Sequence, residues 1–402
     1  MSRILFVDDE PRVLEGLRRT LHGVRRQCEM EFVLSGQEAL DRLATSPFDA
    51  VVCDVRMPGM DGSELLEQVM KRFPTAVRII LSGQCHRQAA LKTVGPAHQF
   101  FTKPCDSETL GAAVERACRL RDRLKNAECR QLVSQVRCVP SSPAAHSALA
   151  AELESAKPSA ERLGEIVSRD VALTANLLRL VSSGFFGSPQ KSSDPARWTA
   201  LLGIETIRLL VGSAGAIRPM EADHPSMSCL EPLGEHSRKV ARWARAIAAA
   251  ETGDATLAGH ACLGGLLHDV GQLVLADHLP QCHADTWARS RAERIPVWEA
   301  EDRCLGATHA DLGGYLLGLW GAPDAVVDAV LFHHRPSLSS GASFSPLAAV
   351  HVASAAADAA ELDIPLHAAP VDVEYVKRIG CAERLGPWFD ICQTTAPHEV
   401  AS

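Results

Sequence analysis

Through the first 125 residues, short apolar runs alternate with stretches whose apolar residues recur at helical spacing. Ile4-Leu5-Phe6-Val7 reads as a buried strand ending in Asp8-Asp9-Glu10. Pro11 then opens a helix with Leu14, Leu17 and Leu21 on one face. The pattern predicts further strands over 31–34, 50–53, 77–81 and 99–101, and helices over 37–43, 63–70 and 89–94. A long helix is expected over 107–132, with a drifting stripe of Leu110, Val114, Ala117, Leu120, Leu124, Ala127 and Leu132. Strands alternating with helices imply a parallel sheet covered on both faces.

Val139-Pro140-Ser141-Ser142-Pro143 breaks this pattern. Beyond it strand signals vanish, and helices are expected over 144–155, 159–168, 172–182, 194–202 and 205–216. In the turn Ser182-Ser183-Gly184-Phe185-Phe186-Gly187, the two Phe are expected to dock into the helical core. The expected fold class is α/β plus all-α: a doubly wound (βα)5 parallel sheet, a connector helix and an all-helical domain. The expected division is 1–122, 123–138, 139–365 and a C-terminal extension 366–402. The connector stripe is open to two uses, packing within the chain or pairing with a second copy as a coiled coil. Residues 370–379 read as strand or short helix, and Trp388-Phe389 should pack back on the domain.

A chain of 402 residues with 46% hydrophobic residues has room for two domains or more. The net charge of -8 argues against a broad nucleic-acid face. Thirteen cysteines, an odd number without a CxxC pair, suit a reducing compartment. The chain enters a strand at once, without a signal peptide, and no apolar run reaches the length of a membrane span. A cytoplasmic location is therefore expected.

The polar residues at the strand ends change the picture. Asp8, Asp9, Asp54, Ser82 and Lys103 all fall at carboxyl ends of strands, which share one edge of the sheet. Three carboxylates together repel unless a hard cation lies among them, and oxygen ligands suit Mg²⁺. Lys103 adds a positive charge and Ser82 a hydroxyl. Such a site fits a phosphoryl group arriving at a carboxylate oxygen, with Asp54 as the central nucleophile.

Val7-Asp8-Asp9-Glu10, Asp54 with Met57-Pro58-Gly59-Met60-Asp61-Gly62, Leu81-Ser82-Gly83 and Phe101-Thr102-Lys103-Pro104 resemble, in order, the receiver domain of two-component response regulators. The resemblance spans residues 3 to about 122. It implies that Asp54 takes a phosphoryl group from a sensor histidine kinase. It implies Mg²⁺ at Asp8, Asp9, Asp54 and the Arg56 carbonyl, with Ser82 and Lys103 gripping the phosphoryl oxygens. Phe100 falls where such domains often carry an aromatic that rotates on activation; a plain core Phe is the other reading. The fourth helix, fifth strand and fifth helix of such domains usually pass the signal on, so that face and the connector are candidates for a homodimer contact.

In the second half, His236, His268-Asp269, His309, His333-His334 and His351 with Asp358 come from several expected helices. Imidazoles and carboxylates converging in a helical bundle can hold a metal, and mixed nitrogen and oxygen ligands suit Fe, Mn, Zn or Co. An ionisable pair inside the apolar run Gly265-Leu266-Leu267-His268-Asp269-Val270-Gly271 needs partners. With Asp170-Val171-Ala172-Leu173-Thr174, Leu201-Leu202-Gly203, the run 301–309 and Trp320-Gly321-Ala322-Pro323, these residues resemble the HDOD subfamily of the HD superfamily of metal-dependent phosphohydrolases, over about 139–362. Receiver followed by HDOD is a bacterial signalling arrangement.

The resemblance implies a ligand set of His236, His268, Asp269, His309, His333, His334 and Asp358, for one or two metal ions. There are departures. The Gly-Tyr-Pro signature of the cyclic di-GMP-cleaving relatives is absent after His334, which is followed by Arg335-Pro336-Ser337. Gln272 stands where many HD hydrolases have a Lys that meets substrate phosphate, and Pro232 where some relatives have a further ligand Glu. HDOD domains are generally regarded as interaction modules. The leading expectation is a response regulator whose helical output acts by protein interaction, with no enzymatic activity beyond receiver self-phosphorylation and dephosphorylation. A phospho-regulated, metal-dependent phosphodiesterase or phosphatase is the second reading, and a nucleotide sensor that does not cleave is the third. No helix-turn-helix with a basic recognition helix stands out, so DNA binding is disfavoured.

Overall fold

The computed structural model describes residues 2–21, 28–83, 94–103, 105, 107–182, 193–212 and 216–395. Five strands, β1 (Ser2–Val7), β2 (Cys28–Val33), β3 (Ala50–Asp54), β4 (Val77–Ser82) and β5 (Gln99–Thr102), form one parallel sheet in the order β2-β1-β3-β4-β5. The order reverses at β1, so the carboxyl ends of β1 and β3 frame the crevice where such a sheet places ligands. β3 is buried throughout, as its unbroken apolar run requires. Helices α1 (Pro11–Thr20), α2 (Gly36–Thr45) and α3 (Gly62–Arg72) follow the first three strands. A capping box between Asp61 and Glu64 starts α3. Gly62 is needed there, because a Cβ would meet the Asp54 carbonyl oxygen at 2.1 Å. The helix expected over 89–94 and the Phe185-Phe186 turn fall outside the described residues.

The single helix expected over 107–132 is instead two, α4 (Ser107–Arg123) and α5 (Ala127–Gln135). Asn126 makes the break. Its side chain accepts from the backbone N–H groups of Glu128 and Cys129 and donates to Leu305 O at 2.6 Å. The local cap thus wins over the drifting stripe.

The second half is all helical: α6 (Pro143–Glu154), α7 (Ala160–Ser168), α8 (Val171–Val181), α9 (Pro195–Leu202), α10 (Ile204–Gly212), α11 (Leu230–Thr252), α12 (Ala255–Leu267), α13 (Val270–His278), α14 (Pro280–Glu293), α15 (Val297–Leu305), α16 (His309–Leu319), α17 (Asp324–Phe332), α18 (Pro346–Glu361), α19 (Val373–Arg378) and α20 (Leu385–Thr394). Two boundaries differ from expectation. Gly234 reads from sequence as the opening of the helix bearing His236, but that helix starts at Leu230, with Pro232 tolerated in its first turn. His268 and Asp269 sit at the joint between α12 and α13, not inside one helix. Trp388 does pack back, fully buried, with Nε1 donating to Glu251 at 3.1 Å.

One contiguous apolar cluster runs from the sheet through α4 and α5 into the helical half. At this junction Gln99 Nε2 donates to Leu319 O at 2.9 Å, and Arg116 Nη1 donates to Ala322 O at 2.7 Å and Asp324 Oδ1 at 2.9 Å. Leu120 fills a notch at Gly318, where a Cβ would meet its Cδ1 at 2.0 Å. Two fully buried guanidinium groups bind main chain instead of carboxylates. Arg78 donates to the Pro74, Ala76, Pro96 and Ser134 carbonyls. Arg179 donates to the Arg137 and Gly95 carbonyls and lies 5.2 Å from the Trp320 ring centre. Burial brings both arginines down to about 9. Leu110, Val114, Ala117, Leu120 and Leu124 of the stripe are therefore buried within the chain, while Ala127 is exposed, and β5 and α4 of the receiver pack against the helical half.

Gly271 sits where α13 crosses α16, and a Cβ there would meet the His309 carbonyl oxygen at 2.0 Å. Gly271→Ala must push two backbones apart, at a cost of about 2–3 kcal/mol in urea unfolding. Gly16→Ala, with open space around it in α1, is expected to be neutral or stabilising by up to about 1 kcal/mol.

Candidate functional site

The crevice at the carboxyl edge gathers the predicted residues. Asp8 ends the run of β1, Asp54 ends β3, Ser82 ends β4, and all three are buried. Lys103, just past β5, reaches across the crevice to both aspartates, donating to Asp8 Oδ2 at 2.5 Å and to Asp54 Oδ1. Burial opposes its charge, but hydrogen bonds to Asp54 and Asp8 outweigh that, so its pKa is raised and the ammonium persists. The Arg56 backbone N–H donates to Asp54 Oδ2 at 2.7 Å, and the Glu10 N–H to Asp8 Oδ1 at 3.0 Å. Two carboxylates facing one cation make an oxygen-rich donor set of the kind Mg²⁺ takes. Asp9 adjoins them, half-buried. Phe100 is fully buried on β5, its ring centre 6.0 Å from the Arg179 guanidinium. Phe100 thus lies beside the domain junction.

In the helical half, the structure brings all seven expected ligands together. Asp269 lies at the centre: its Oδ1 is 3.1 Å from His309 Nε2 and 3.7 Å from His333 Nε2, and its Oδ2 is 3.5 Å from His268 Nε2. Asp269, His309, His333 and His334 form one group with ligand atoms within 4.8 Å of one another, and His236, His268 and Asp269 form a second. Asp358 joins through His236 Nε2, at 3.9 Å from its Oδ1.

The hydrogen bonds behind the rings decide which nitrogen faces inward. His268 Nδ1 lies 2.7 Å from Gly265 O and His333 Nδ1 lies 2.7 Å from Val330 O. A carbonyl only accepts, so in both rings Nδ1 carries the proton and Nε2 is a bare lone pair. Both Nε2 atoms are buried and lack a hydrogen-bond partner. Orphaned acceptors aimed at a shared carboxylate fit a metal ion, and the mixed nitrogen and oxygen donors fit Fe, Mn, Zn or Co better than Mg.

The outer two histidines are backed by carboxylates that the motifs did not single out. Glu301, fully buried, accepts from His309 Nδ1 at 2.7 Å and from the His309 N–H at 2.8 Å. Glu361 Oε1 is 2.9 Å from His236 Nδ1 and accepts from Lys239 at 2.9 Å. Such second carboxylates orient metal-binding imidazoles. Glu361 could have been found, since it follows Asp358 by three on one helix face. Glu301 opens the run 301–309 that helps carry the resemblance, but the run gives it no role.

Gln272 lies beside the His309–Glu301 pair. It is buried behind His309, donating to Glu301 Oε1 at 2.8 Å. Its Nε2 also lies 2.8 Å from His309 Nδ1, so in this chain the position supports that pair. His351 is structural: its Nδ1 donates to His333 O at 2.6 Å and its Nε2 accepts from the Asp372 N–H at 2.8 Å.

Burial pushes His268 down to about 4, against the pull of Asp269. Burial also opposes charge on His309, but Glu301 and Asp269 outweigh it and push that ring up to about 10. In the metal-free protein His268 is neutral and His309 cationic at neutral pH, so their effects on stability run in opposite directions with pH. Unfolded histidine protonates at roughly pH 6.5. Below that the unfolded chain takes a proton that folded His268 refuses, so stability falls as pH drops from 6.5 towards 4. The His309 contribution is complete below 6.5 and is lost as pH rises towards 10. Thermal melts of the chelator-treated chain should show both limbs. His268→Asn should make the acid limb shallower but not flat, since burial also holds His333, His334 and His351 below the usual range. An acid limb of unchanged slope would remove His268 from that role.

Residues 4–115 match the response regulator receiver domain family, and residues 139–336 match the HDOD domain family. The chain is 36% identical over 115 residues to the DNA-binding transcriptional regulator NtrC of Escherichia coli K12, covering 28% of this chain and 24% of that protein. It is 27% identical over 170 residues to an uncharacterized protein of Treponema pallidum, covering 42% of this chain and 32% of the relative. The chain thus spans between a quarter and a third of the length of these curated relatives. Among solved structures it resembles the signal receiver domain of an HD domain-containing protein from Pseudomonas fluorescens Pf-5, at 27% identity and a TM-score of 0.28, covering 29% of this chain and 94% of that one. No helix among the described residues is long and apolar enough to cross a membrane. With the aspartate crevice in its parallel sheet and the histidine cluster in its helical half, the chain is a response-regulator-type protein, a receiver domain followed by an HDOD domain.

Proposed function

We propose that this chain accepts a phosphoryl group on Asp54 from a sensor histidine kinase and relays the event through direct contact to its HDOD half, which acts on a partner protein. In the transfer, an Asp54 carboxylate oxygen forms the new bond to phosphorus as the P–N bond of the phosphohistidine breaks, and the kinase imidazole takes up a proton. Lys103, already bonded to Asp54 and Asp8, holds positive charge where the phosphoryl oxygens arrive, and Ser82 offers a hydroxyl donor. Mg²⁺ held by Asp8, Asp9, Asp54 and the Arg56 carbonyl would supply the remaining charge neutralisation.

The observation that carries the relay is the docking of β5 and α4 on α16 and α17. The strand that bears Phe100 also donates, through Gln99, to the end of α16. A change in β5 has to be felt by the HDOD helices, because packed interiors shift between discrete arrangements rather than deform smoothly.

A second reading, a metal-dependent phosphohydrolase, is favoured by the orphaned Nε2 atoms of His268 and His333. A metal there would activate water and polarise a phosphate. Asp269 would hold it and stand ready to accept a proton, and Lys239 is a cation at the rim beside Glu361.

Hydrogen exchange of the full chain with and without beryllium fluoride, a phosphoryl mimic, tests the relay. Protection over 97–101, 116–124 and 315–324 should change by about tenfold, the scale of ordinary coupling between sites, and Asp54→Asn should abolish the change. A response confined to the crevice would sink the relay. Metal-dependent turnover of a chromogenic phosphodiester, lost in His268→Ala, would move the weight to the second reading.

A further inference from the structure

We infer that α16 is a shared rod that makes metal binding at the histidine cluster and docking of the receiver depend on one another. The inference rests on the reading of the cluster as a metal site, and it adds a regulation of that site.

His309 is the first residue of α16, and Leu319, whose carbonyl accepts from Gln99, is the last. Eleven residues at 1.5 Å each make the rod about 16 Å long. Its receiver end is held at four places. Gln99 bonds Leu319 O, and Leu120 fills the Gly318 notch. Tyr315 Oη lies 3.2 Å from Ser134 Oγ on α5, and Ser134 O in turn accepts from Arg78 on β4. Trp320, just past the end, lies under Arg179. Its cluster end is held by Glu301, which accepts from both the backbone N–H and the ring of His309.

Between these ends the helix has no slack. Every residue of α16 except Asp311 is buried. Gly313 lies so close to α13 that a Cβ would be 3.1 Å from Gly271 N, and at Gly314 a Cβ would be 2.9 Å from Leu331 Cβ. A helix clamped on these sides moves as a body or not at all. Any shift that receiver undocking allows at Leu319 is therefore delivered to His309. The adjoining helix α17 repeats the arrangement: Arg116 grips Asp324 at its start, Arg123 lies 4.4 Å from the ring centre of Phe332 at its end, and His333 follows. In the docked state, His309 and His333 already converge on Asp269. Docking therefore favours metal binding, and by linkage metal binding favours docking by the same factor.

The test uses the full chain in saturating Mg²⁺, so that the receiver crevice is already occupied, with Zn²⁺ as the probe. Hydrogen exchange is measured over 95–101 and 117–124, which contain no residue of the cluster. Zn²⁺ should raise protection there on the order of tenfold, within the usual range of coupling between sites. Leu120→Ala, which empties the Gly318 notch, should weaken Zn²⁺ affinity by a similar factor in competition with a chromophoric chelator. Zn²⁺ uptake that His268→Ala abolishes, with unchanged protection over both receiver segments, overturns the coupling and leaves the metal site standing. No Zn²⁺ uptake at all overturns both. A junction that answers Zn²⁺ but not beryllium fluoride supports the coupling and defeats the phosphorelay reading instead.

Discussion

Asp269 is a largely buried carboxylate whose ion-pair partners among the described residues are all imidazoles. The HDOD half is arranged around answering that charge. The His268-Asp269 pair sits at a helix joint, which frees both side chains to point into the same space. Close crossings set the distances: Gly265 lets α12 approach Ala241 on α11, and Gly271 lets α13 approach His309. Without those glycines the imidazoles would stand too far apart to share one carboxylate. Carbonyls behind the inner rings and carboxylates behind the outer ones then orient the nitrogens. Glu361 keeps its charge: burial opposes it, but hydrogen bonds to His236 and Lys239 outweigh that cost and lower its pKa to about 2.

Much of this was legible in the residues. Unbroken apolar runs marked buried parallel strands, and the polar residues that end them could only lie along one edge of a sheet. The histidines of the cluster stood out because apolar helices rarely hold ionisable groups without partners. Glu301 lies in the run 301–309 that helps carry the resemblance, but its role was not visible because it depends on a turn between α15 and α16 that folds it back onto His309. The break at Asn126 was masked by an apolar stripe that continues through it. The neighbours of Gln272, Glu301 and His309, were not visible in the sequence either. In each case the missing information was tertiary: which side of a helix faces which neighbour.

The junction gives much of the apolar face of α4 and α5 its partners within this chain. Leu120, Leu124, Cys129 and Val133 are buried against the rest of this molecule. Two arginines inside such a boundary are costly, and main-chain carbonyls with aromatic faces are weaker compensation than carboxylates. Arg78 and Arg179 both reach the segment 95–96 that leads into β5. Polar groups that are only modestly compensated make a boundary specific in its geometry without making it permanent.

The notch at Gly318 bears on how freely the two halves can be exchanged. Only a chain that places a side chain the size of Leu120 opposite it will close the seam without a void. A different receiver grafted onto this HDOD half would leave that hollow unfilled. A cut at the Pro-rich break would leave Leu319, Trp320 and Phe332 along an uncovered seam. The tandem is thus closer to one composite body than to two interchangeable modules, and its halves are constrained to change together.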